Sequence, residues 1–273
     1  MRKSVESRPP ICDYEGSDYQ QTFWERGQRT YEDEAEALAL RRLLPSAGMR
    51  LLEIGAGAGR NSPRYRGFEQ VVLLDASRSQ LRQAKERLGG EGRYRYIVGD
   101  AYRLPFTADS FDAATMIRTL HHLVEPGAAL AQVRRALTPS GIFILEFANK
   151  RNLKAIGRWL IRRQVWNPFS HEPVEFVALN FNFHPEAVGE WLSAAGFRVV
   201  RRLSVSHFRW GWLKQRFSTR LLLAGESLLQ WTGAWLPWTP SVFVEAVATD
   251  PARDRRRRIR PPGIRLTGSR RKG

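Results

Sequence analysis

The chain has 273 residues, 42% of them hydrophobic, which is enough for one domain with additions and a sizeable core. Cys12 is its only cysteine, which excludes an intramolecular disulfide and suits a reducing compartment. The net charge is +17, and more than half of this excess lies in residues 253–273, which hold ten Arg or Lys and one Asp.

The first predicted element is a disordered N-terminus, residues 1–12, which includes Pro9 and Pro10 and has no apolar run. Residues 13–44 then precede the first strand. Within them, apolar residues recur at roughly helical spacing and predict a helix over Glu32–Leu44.

The stretch Leu51–Arg60 is an apolar strand that runs into an acid, Glu53, and then into a glycine-rich turn. The turn holds three glycines spaced two residues apart: Gly55, Gly57 and Gly59. Glycine tolerates positive φ and lets a ligand lie against the backbone. The dinucleotide fingerprint would require a glycine at position 60, where this chain has arginine. By itself the turn is a weak signal that is compatible with NAD, FAD or another nucleotide cofactor.

Further strands follow and alternate with helices, which predicts a doubly wound, mostly parallel sheet. The predicted strands are Val71–Asp75, Tyr94–Val98, a strand opened by Phe111, and Ile142–Phe147. Ser77 or Ser79 is expected to cap the second helix. Ligands of such sheets bind outside the carboxyl ends of the strands, where Glu53, Asp75 and Asp100 all fall.

Beyond the fifth strand the chain departs from a minimal fold. Arg151–Arg163 predicts a basic amphipathic helix, and residues 164–183 predict a loop rich in aromatic side chains. A helix from His184 to Ala195 is expected next, followed by strands at Phe197–Val205 and Ser241–Val247.

Residues 206–240 hold five of the nine tryptophans. Apolar residues there form a stripe at helical spacing: Leu221, Ala224, Leu228, Trp231 and Trp235. Such a stripe suits ordinary core packing, a dimer interface, a lid over an apolar pocket, or contact with a membrane surface next to Lys214, Arg216 and Arg220.

The order and spacing of these motifs resemble the class I S-adenosylmethionine (SAM)-dependent methyltransferases, type 11. The resemblance covers about residues 45–150 and 184–248 and includes the turn Leu137–Gly141, where Ser140 replaces a glycine of the family. It implies a Rossmann-like, seven-stranded α/β sheet with an antiparallel last strand. The implied methyltransferase domain spans residues 13–250, with helical caps at 13–44, 151–183 and 206–240 and a disordered basic tail at 251–273.

The resemblance also implies the cofactor, SAM. The residues implied to bind it are Glu53, Gly55, Ala56, Gly57, Gly59, Asp75, Ala76, Asp100 and Ala101. In related enzymes the segment before the glycine turn folds over cofactor and substrate. The candidate pocket residues are therefore Tyr19, Trp24, Arg29 and Tyr31, although the aromatic residues of this segment would also suit packing onto the sheet.

Methyl transfer from a sulfonium is an in-line displacement in which the protein mainly supplies positioning. A base is useful when the acceptor is a hydroxyl or a protonated amine, and histidine is the natural candidate. His121 and His122 are expected to end the fourth strand, with one facing the pocket and the other packing. His171, in the variable region, is a further pocket candidate. No arrangement has metal-ligand spacing, so no metal is expected.

We expect a methyltransferase acting on a small, apolar acceptor. Two alternatives remain: an RNA-modifying enzyme that uses the basic tail, and a non-catalytic SAM-binding or membrane-associated protein. Nucleic acid is the less expected partner, because much of the charge excess lies in the tail. No signal peptide and no apolar run of about 18 residues is present, so we expect a cytoplasmic protein. Residues 151–163, 206–240 and the tail could contact the inner face of a membrane.

Overall fold

The computed structural model describes residues 9–17, 20–25, 29–90 and 92–249. Three sets of expectations therefore fall outside the described residues: those for residues 1–8, for Tyr19 and for the basic tail.

A seven-stranded sheet forms the centre of the molecule. In chain order the strands are β1 (Gly48–Ile54), β2 (Phe68–Asp75), β3 (Tyr94–Val98), β4 (Phe111–Met116), β5 (Leu137–Ala148), β6 (Val174–Val177), β7 (Asn180–Asn182), β8 (Phe197–Val205) and β9 (Ser241–Ala248). The sheet order is β3-β2-β1-β4-β5-β9-β8, and β6 pairs with β7 in a separate hairpin. Strands β1 to β5 pair in parallel, whereas β9 is antiparallel to both β5 and β8. The predicted fold class is confirmed.

Seven α-helices accompany the strands in the described part of the chain. They are α1 (Thr30–Leu43), α2 (Arg78–Leu88), α3 (Pro126–Ala136), α4 (Leu153–Leu160), α5 (Pro185–Ala194), α6 (Gly211–Arg216) and α7 (Thr219–Leu229). Ser77 accepts a hydrogen bond from the Gln80 N–H and caps α2, as predicted. Shorter helical turns lie at Gln20–Glu25, Ser62–Arg64, Leu120–His122 and Gln230–Ala234.

The sheet is buried on both faces, because successive side chains of a strand point to opposite sides. On β1, Leu52 belongs to one apolar core and Leu51 to the other. The first core includes residues of α3 and α5, and the second includes residues of α1, α2 and α7. The edge formed by the carboxyl ends of β1 to β4 is therefore the place where a ligand can reach the sheet.

Two expectations about local structure were wrong. The fourth strand ends at Met116, so His121 and His122 lie in the following helical turn and do not end the strand. Between the end of the strand and these histidines the chain turns at Arg118, whose φ of +55° is incompatible with an extended strand. The aromatic-rich segment 164–183 is not all loop, since it contains the β6–β7 hairpin. Within the described ranges, no helix is both long and apolar enough to cross a membrane.

Candidate active site

The glycine turn after β1 uses each glycine differently, although all three have positive φ. A Cβ atom at Gly55 would lie 2.0 Å from Thr119 Oγ1, and one at Gly59 would lie 3.2 Å from Ala84 Cβ on α2. At Gly57 a Cβ would meet nothing closer than Gln80 Oε1 at 3.9 Å. Gly55 and Gly59 thus permit close packing, and Gly57 leaves room on the side where a ligand would lie.

Asp75, at the tip of β2, is held by backbone groups. Its Oδ2 accepts from the Gly57 N–H at 2.7 Å and its Oδ1 from the Ser77 N–H at 2.9 Å. Burial raises the pKa of Asp75 and these N–H groups oppose that effect. A carboxylate oxygen has two lone pairs, so each oxygen can accept one further hydrogen bond from a ligand hydroxyl.

Glu53 lies buried beneath the turn. Ser62 Oγ donates to its Oε2 at 2.5 Å and the Tyr65 hydroxyl donates to its Oε1 at 3.3 Å. Burial nevertheless raises the pKa of Glu53 to about 7. A cation placed beside it would restore its negative charge, which makes Glu53 suited to a positively charged ligand.

Asp100 follows β3 and accepts a hydrogen bond from the Tyr102 N–H at 2.8 Å through Oδ1. It lines the same cavity as Glu53 and Asp75. Of the residues predicted to bind a cofactor, those that line this cavity are Glu53, Gly55, Ala56, Gly57, Asp75, Ala76, Asp100 and Ala101. The remaining one, Gly59, packs against α2 instead.

Of the two neighbouring histidines, His122 lines the cavity. Its Nδ1 lies 3.0 Å from the Leu179 carbonyl oxygen, so Nδ1 carries the proton and donates. Its Nε2, 3.1 Å from the Tyr14 hydroxyl, is then the acceptor. Burial lowers the pKa of His122, which favours this neutral form, while the Leu179 carbonyl opposes the shift.

His121 is partly buried like its neighbour, with its ring centroid 3.9 Å from that of His122. Its Nδ1 has no hydrogen-bond partner among the described residues. Burial, followed by the proximity of His122 and Arg118, lowers its pKa well below the ordinary value. His121 is therefore neutral as well.

The segment before the turn contributes to the cavity through residues that the sequence analysis did not single out. Tyr14 lines the cavity, and so do Ile11 and Cys12, which fall within the segment expected to be disordered. Glu15 fixes this segment to the start of α2 by accepting from Ser77 Oγ at 2.8 Å. The Gln80 side chain donates to the Ser17 carbonyl at 2.7 Å.

Among the predicted pocket residues, Trp24 is buried and lines the cavity. The guanidinium groups of Arg60 and Arg118 lie 3.7 Å and 4.7 Å from its ring centroids. Arg60 also forms ion pairs with Asp33 and Glu36 of α1. The arginine that replaces the fingerprint glycine thus joins the turn to α1.

Arg29 and Tyr31 lie elsewhere. The Arg29 guanidinium stacks 3.9 Å from the Phe23 ring centroid. Tyr31, on α1, is buried, and its hydroxyl donates to Glu226 of α7 at 2.6 Å. The structure brings neither side chain into the lining of the cavity among the residues it describes.

His171 is half exposed and stacks on His184 with a centroid distance of 4.7 Å. Ligand atoms of His171, His184 and Glu186 come within 4.8 Å of one another, a cluster that the sequence spacing did not indicate. However, His184 Nδ1 accepts from the Glu186 N–H and caps α5. Arg151 pairs with the Glu186 carboxylate at 3.4 Å. These contacts account for the cluster as a helix cap with a surface ion pair.

Comparison with known proteins agrees with this geometry. The family model described as a methyltransferase domain matches residues 52–145. A demethylmenaquinone methyltransferase from Clavibacter sepedonicus is 32% identical over 180 residues, covering 61% of this chain and 72% of that protein. A ubiquinone/menaquinone biosynthesis C-methyltransferase from Dinoroseobacter shibae is 35% identical over 117 residues, covering 40% of this chain and 47% of that protein.

A solved structure shares the fold at lower identity. It is the 1,6-didemethyltoxoflavin-N1-methyltransferase of Burkholderia thailandensis with bound 1,6-didemethyltoxoflavin and S-adenosylhomocysteine. It is 18% identical, has a TM-score of 0.56, and the match covers 85% of this chain and 84% of that one. The glycine turn, the acids after β2 and β3, the sheet order and these relatives together show that the chain belongs to the class I SAM-dependent methyltransferases.

Proposed function

We propose that this enzyme methylates a small, apolar acceptor of the quinol class, and that the methyl group, the cofactor and the acceptor meet in the cavity at the carboxyl ends of β1 to β4. The observation that carries the proposal is the composition of this one cavity. It combines nucleotide-binding residues, a neutral histidine with an acceptor nitrogen, and apolar side chains. One of the relatives described above is named for demethylmenaquinone and another for the biosynthesis of ubiquinone and menaquinone.

The residues present fit SAM. Gly57 leaves the space against which a cofactor backbone can lie, and Asp75 can accept from both ribose hydroxyls. Asp100 lines the same cavity, and the role proposed for it is to accept from the adenine amino group. Glu53, whose pKa is raised by burial, would regain its negative charge beside a cationic ligand. When bound, SAM supplies a methyl group on a positively charged sulfur.

The role proposed for His122 is to accept a proton from the methyl acceptor. Leu179 fixes the proton on Nδ1, so the Nε2 lone pair is the one directed to the Tyr14 hydroxyl. An acceptor hydroxyl that takes the place of the Tyr14 hydroxyl would donate to the same nitrogen. General-base assistance of this kind contributes about 10²–10⁴-fold to a rate.

The proposed acceptor site is apolar. Ile11, Trp24, Ile117 and Leu123 line the cavity alongside the polar residues. An aromatic ring with a hydroxyl matches this mixture of surfaces. The alternative of an RNA substrate depended on the basic tail, which lies outside the described residues, so no contact in the structure favours it.

The test uses the full-length enzyme, SAM carrying a labelled methyl group, and a panel of acceptors analysed by mass spectrometry. The panel holds a short-chain demethylmenaquinol, a simple catechol and bulk transfer RNA. We expect label in the quinol and little in the RNA. Transfer to RNA alone, or SAM binding without transfer to any small acceptor, would overturn the proposal.

A further inference from the structure

The surface around α4 and α7 exposes large apolar side chains that a monomer ordinarily buries. Leu228 is 78% exposed and Trp235 is 90% exposed. The other exposed members of this surface, here called the tryptophan face, are Leu153, Leu160, Ile161, Leu221, Trp231 and Leu236. Large apolar side chains exposed in such number are typical of an interaction site.

The outward direction of these side chains follows from the polar character of the inner side of α7. Glu226 is fully buried there and accepts from the Tyr31 hydroxyl and from the His207 N–H at 3.0 Å. Gln230, also buried, donates to the Ala35 carbonyl at 2.9 Å. Leu222, on the same side of the helix, packs into the second core. Helix α7 is therefore attached through Leu222 and these hydrogen bonds, while Leu221, Leu228 and Trp231 stay exposed.

Helix α4 is joined to the same surface. The Leu153 N–H donates to the Trp238 carbonyl at 2.8 Å. The Asn149 side chain donates to the carbonyls of Pro237 at 2.7 Å and Thr239 at 2.8 Å. These bonds place the start of α4 beside the chain that follows Trp235, and on this basis we group the exposed apolar residues of α4 with those of α7.

The two chain segments that carry the tryptophan face are basic. Residues 151–171 contain no Asp or Glu, and the only acid in residues 206–240 is Glu226, which is buried. The exposed basic residues are Lys154, Arg158, Arg162, Arg163, Arg216 and Arg220. An apolar surface with bordering cations is complementary to a layer of anionic lipid headgroups over acyl chains.

We propose that the tryptophan face docks this enzyme on the surface of a membrane that contains anionic lipids. Tryptophan favours the boundary between headgroups and hydrocarbon, because its ring is apolar and its N–H is polar. A second copy of the chain is the less suitable occupant. In a two-fold dimer the same patch meets itself, which would bring the like charges of this surface together.

The experiment measures flotation of the full-length protein with two kinds of vesicle, one of phosphatidylcholine mixed with phosphatidylglycerol and one of phosphatidylcholine alone. Two variants change the face: Leu228→Ser/Trp235→Ser and Arg158→Glu/Arg162→Glu. The matched control is Arg82→Glu/Lys85→Glu, which reverses two exposed charges on α2. The basic tail is identical in all of them, so differences between variants report on the face.

We expect the wild type and the control to float with the anionic vesicles. The charge variant should bind about fivefold less for each positive charge removed. The apolar variant should bind about tenfold less or weaker. Calorimetric SAM affinity checks that each variant is folded, and because flotation needs no acceptor, its outcome is independent of the proposed function.

Three results would overturn the proposal. The wild type could fail to float with anionic vesicles, or both face variants could float as well as the wild type. The third is a wild-type dimer in sedimentation that Leu228→Ser/Trp235→Ser converts to a monomer while vesicle binding stays unchanged. That result would assign the face to a second copy of the chain.

Discussion

His122 is the residue on which the proposed chemistry depends. One ring nitrogen donates to the Leu179 carbonyl, and the other faces the Tyr14 hydroxyl in the cavity. The replacement His122→Gln keeps a polar side chain but removes the basic nitrogen. We expect kcat to fall by about 10²–10⁴-fold, with the calorimetric affinity for SAM little changed.

Tyr14→Phe is the matched control for this prediction. It removes the hydroxyl that contacts His122 Nε2 but leaves the base in place, so kcat should remain within a few-fold of the wild type. A His122→Gln enzyme with undiminished kcat would show that the base lies elsewhere or is not needed.

Gly55 provides a second test at a single position. Its φ is +68°, and a Cβ there would lie 2.0 Å from Thr119 Oγ1. Gly55→Ala should therefore lower the free energy of unfolding by about 1–3 kcal/mol or more, measured by urea denaturation. Gly90→Ala, where a Cβ meets nothing within 4 Å, should have little effect. Equal stability of the two variants would contradict the close packing described at the turn.

The residues that could be predicted and those that could not differ in how far their partners lie along the chain. Glu53, Asp75 and Asp100 each end or follow a strand, so their common position at one sheet edge follows from local pattern. Tyr14 contacts His122, 108 residues away, and Glu15 contacts Ser77, 62 residues away. Such long-range pairs leave no periodic pattern in the sequence, so they could not be predicted from it.

At the level of elements, the orientation of α7 does not follow from its sequence pattern. Its apolar stripe is the pattern of an ordinary amphipathic helix, whose apolar side normally faces the core. The structure also buries Glu226, whose carboxylate accepts from the Tyr31 hydroxyl, the Ser206 and His207 N–H groups and the Gln230 side chain. The side of α7 that faces inward therefore depends on hydrogen-bond donors from distant parts of the chain, which the pattern of α7 itself does not contain.

This arrangement predicts unequal effects for two neighbouring substitutions on α7. Glu226→Ala removes a buried acceptor and leaves its donors without a partner, which should cost about 3–5 kcal/mol of unfolding free energy. Leu228→Ser changes a side chain that is 78% exposed and should cost about 0.5 kcal/mol or less. Chemical denaturation of both variants is the measurement, and a reversed order of stability would refute the orientation of α7.

The ends of α4 and α5 illustrate what local signals do achieve. Helix α5 begins after His184, as the sequence predicted, because the His-Pro pair supplies a cap and a favourable first residue. Helix α4 is shorter than the predicted Arg151–Arg163. Asn152 caps its start by accepting from the Ala155 N–H. Arg162, with a φ of +56°, cannot continue the helix.

For the whole molecule, the alternation of strands and helices predicted a doubly wound, mostly parallel sheet, and the family resemblance added the antiparallel last strand. Parallel strands joined by helices have few permitted arrangements, and Val71–Asp75 and Tyr94–Val98 could be placed from hydrophobic runs alone. The contribution of Ile11, Cys12 and Tyr14 to the cavity could not be predicted, since it depends on single long-range contacts such as that between Glu15 and Ser77.

Stability of the free protein should depend on pH through Glu53. Burial raises its folded-state pKa to about 7 from an ordinary value of 4.5. The folded state therefore holds this proton more tightly, and its contribution to stability is full below pH 4.5 and is lost as the pH rises through about 7. Denaturation at a series of pH values should show this loss, about 3 kcal/mol, in the wild type and not in Glu53→Gln.

The exposed Glu69→Gln on β2 is the control, and its stability should follow the wild-type curve across the same pH range. If Glu53→Gln also follows the wild type, Glu53 is not the residue that holds the proton.

The central claim is that the edge formed by the glycine turn, Asp75 and Asp100 binds SAM. Calorimetric titration of SAM into the wild type and into Asp75→Ala tests it most directly, with the circular dichroism of the variant as a check on folding. We predict saturable one-site binding to the wild type and loss of measurable binding in the folded variant. Equal affinity in both proteins, or no binding to the wild type, would contradict the assignment of this site.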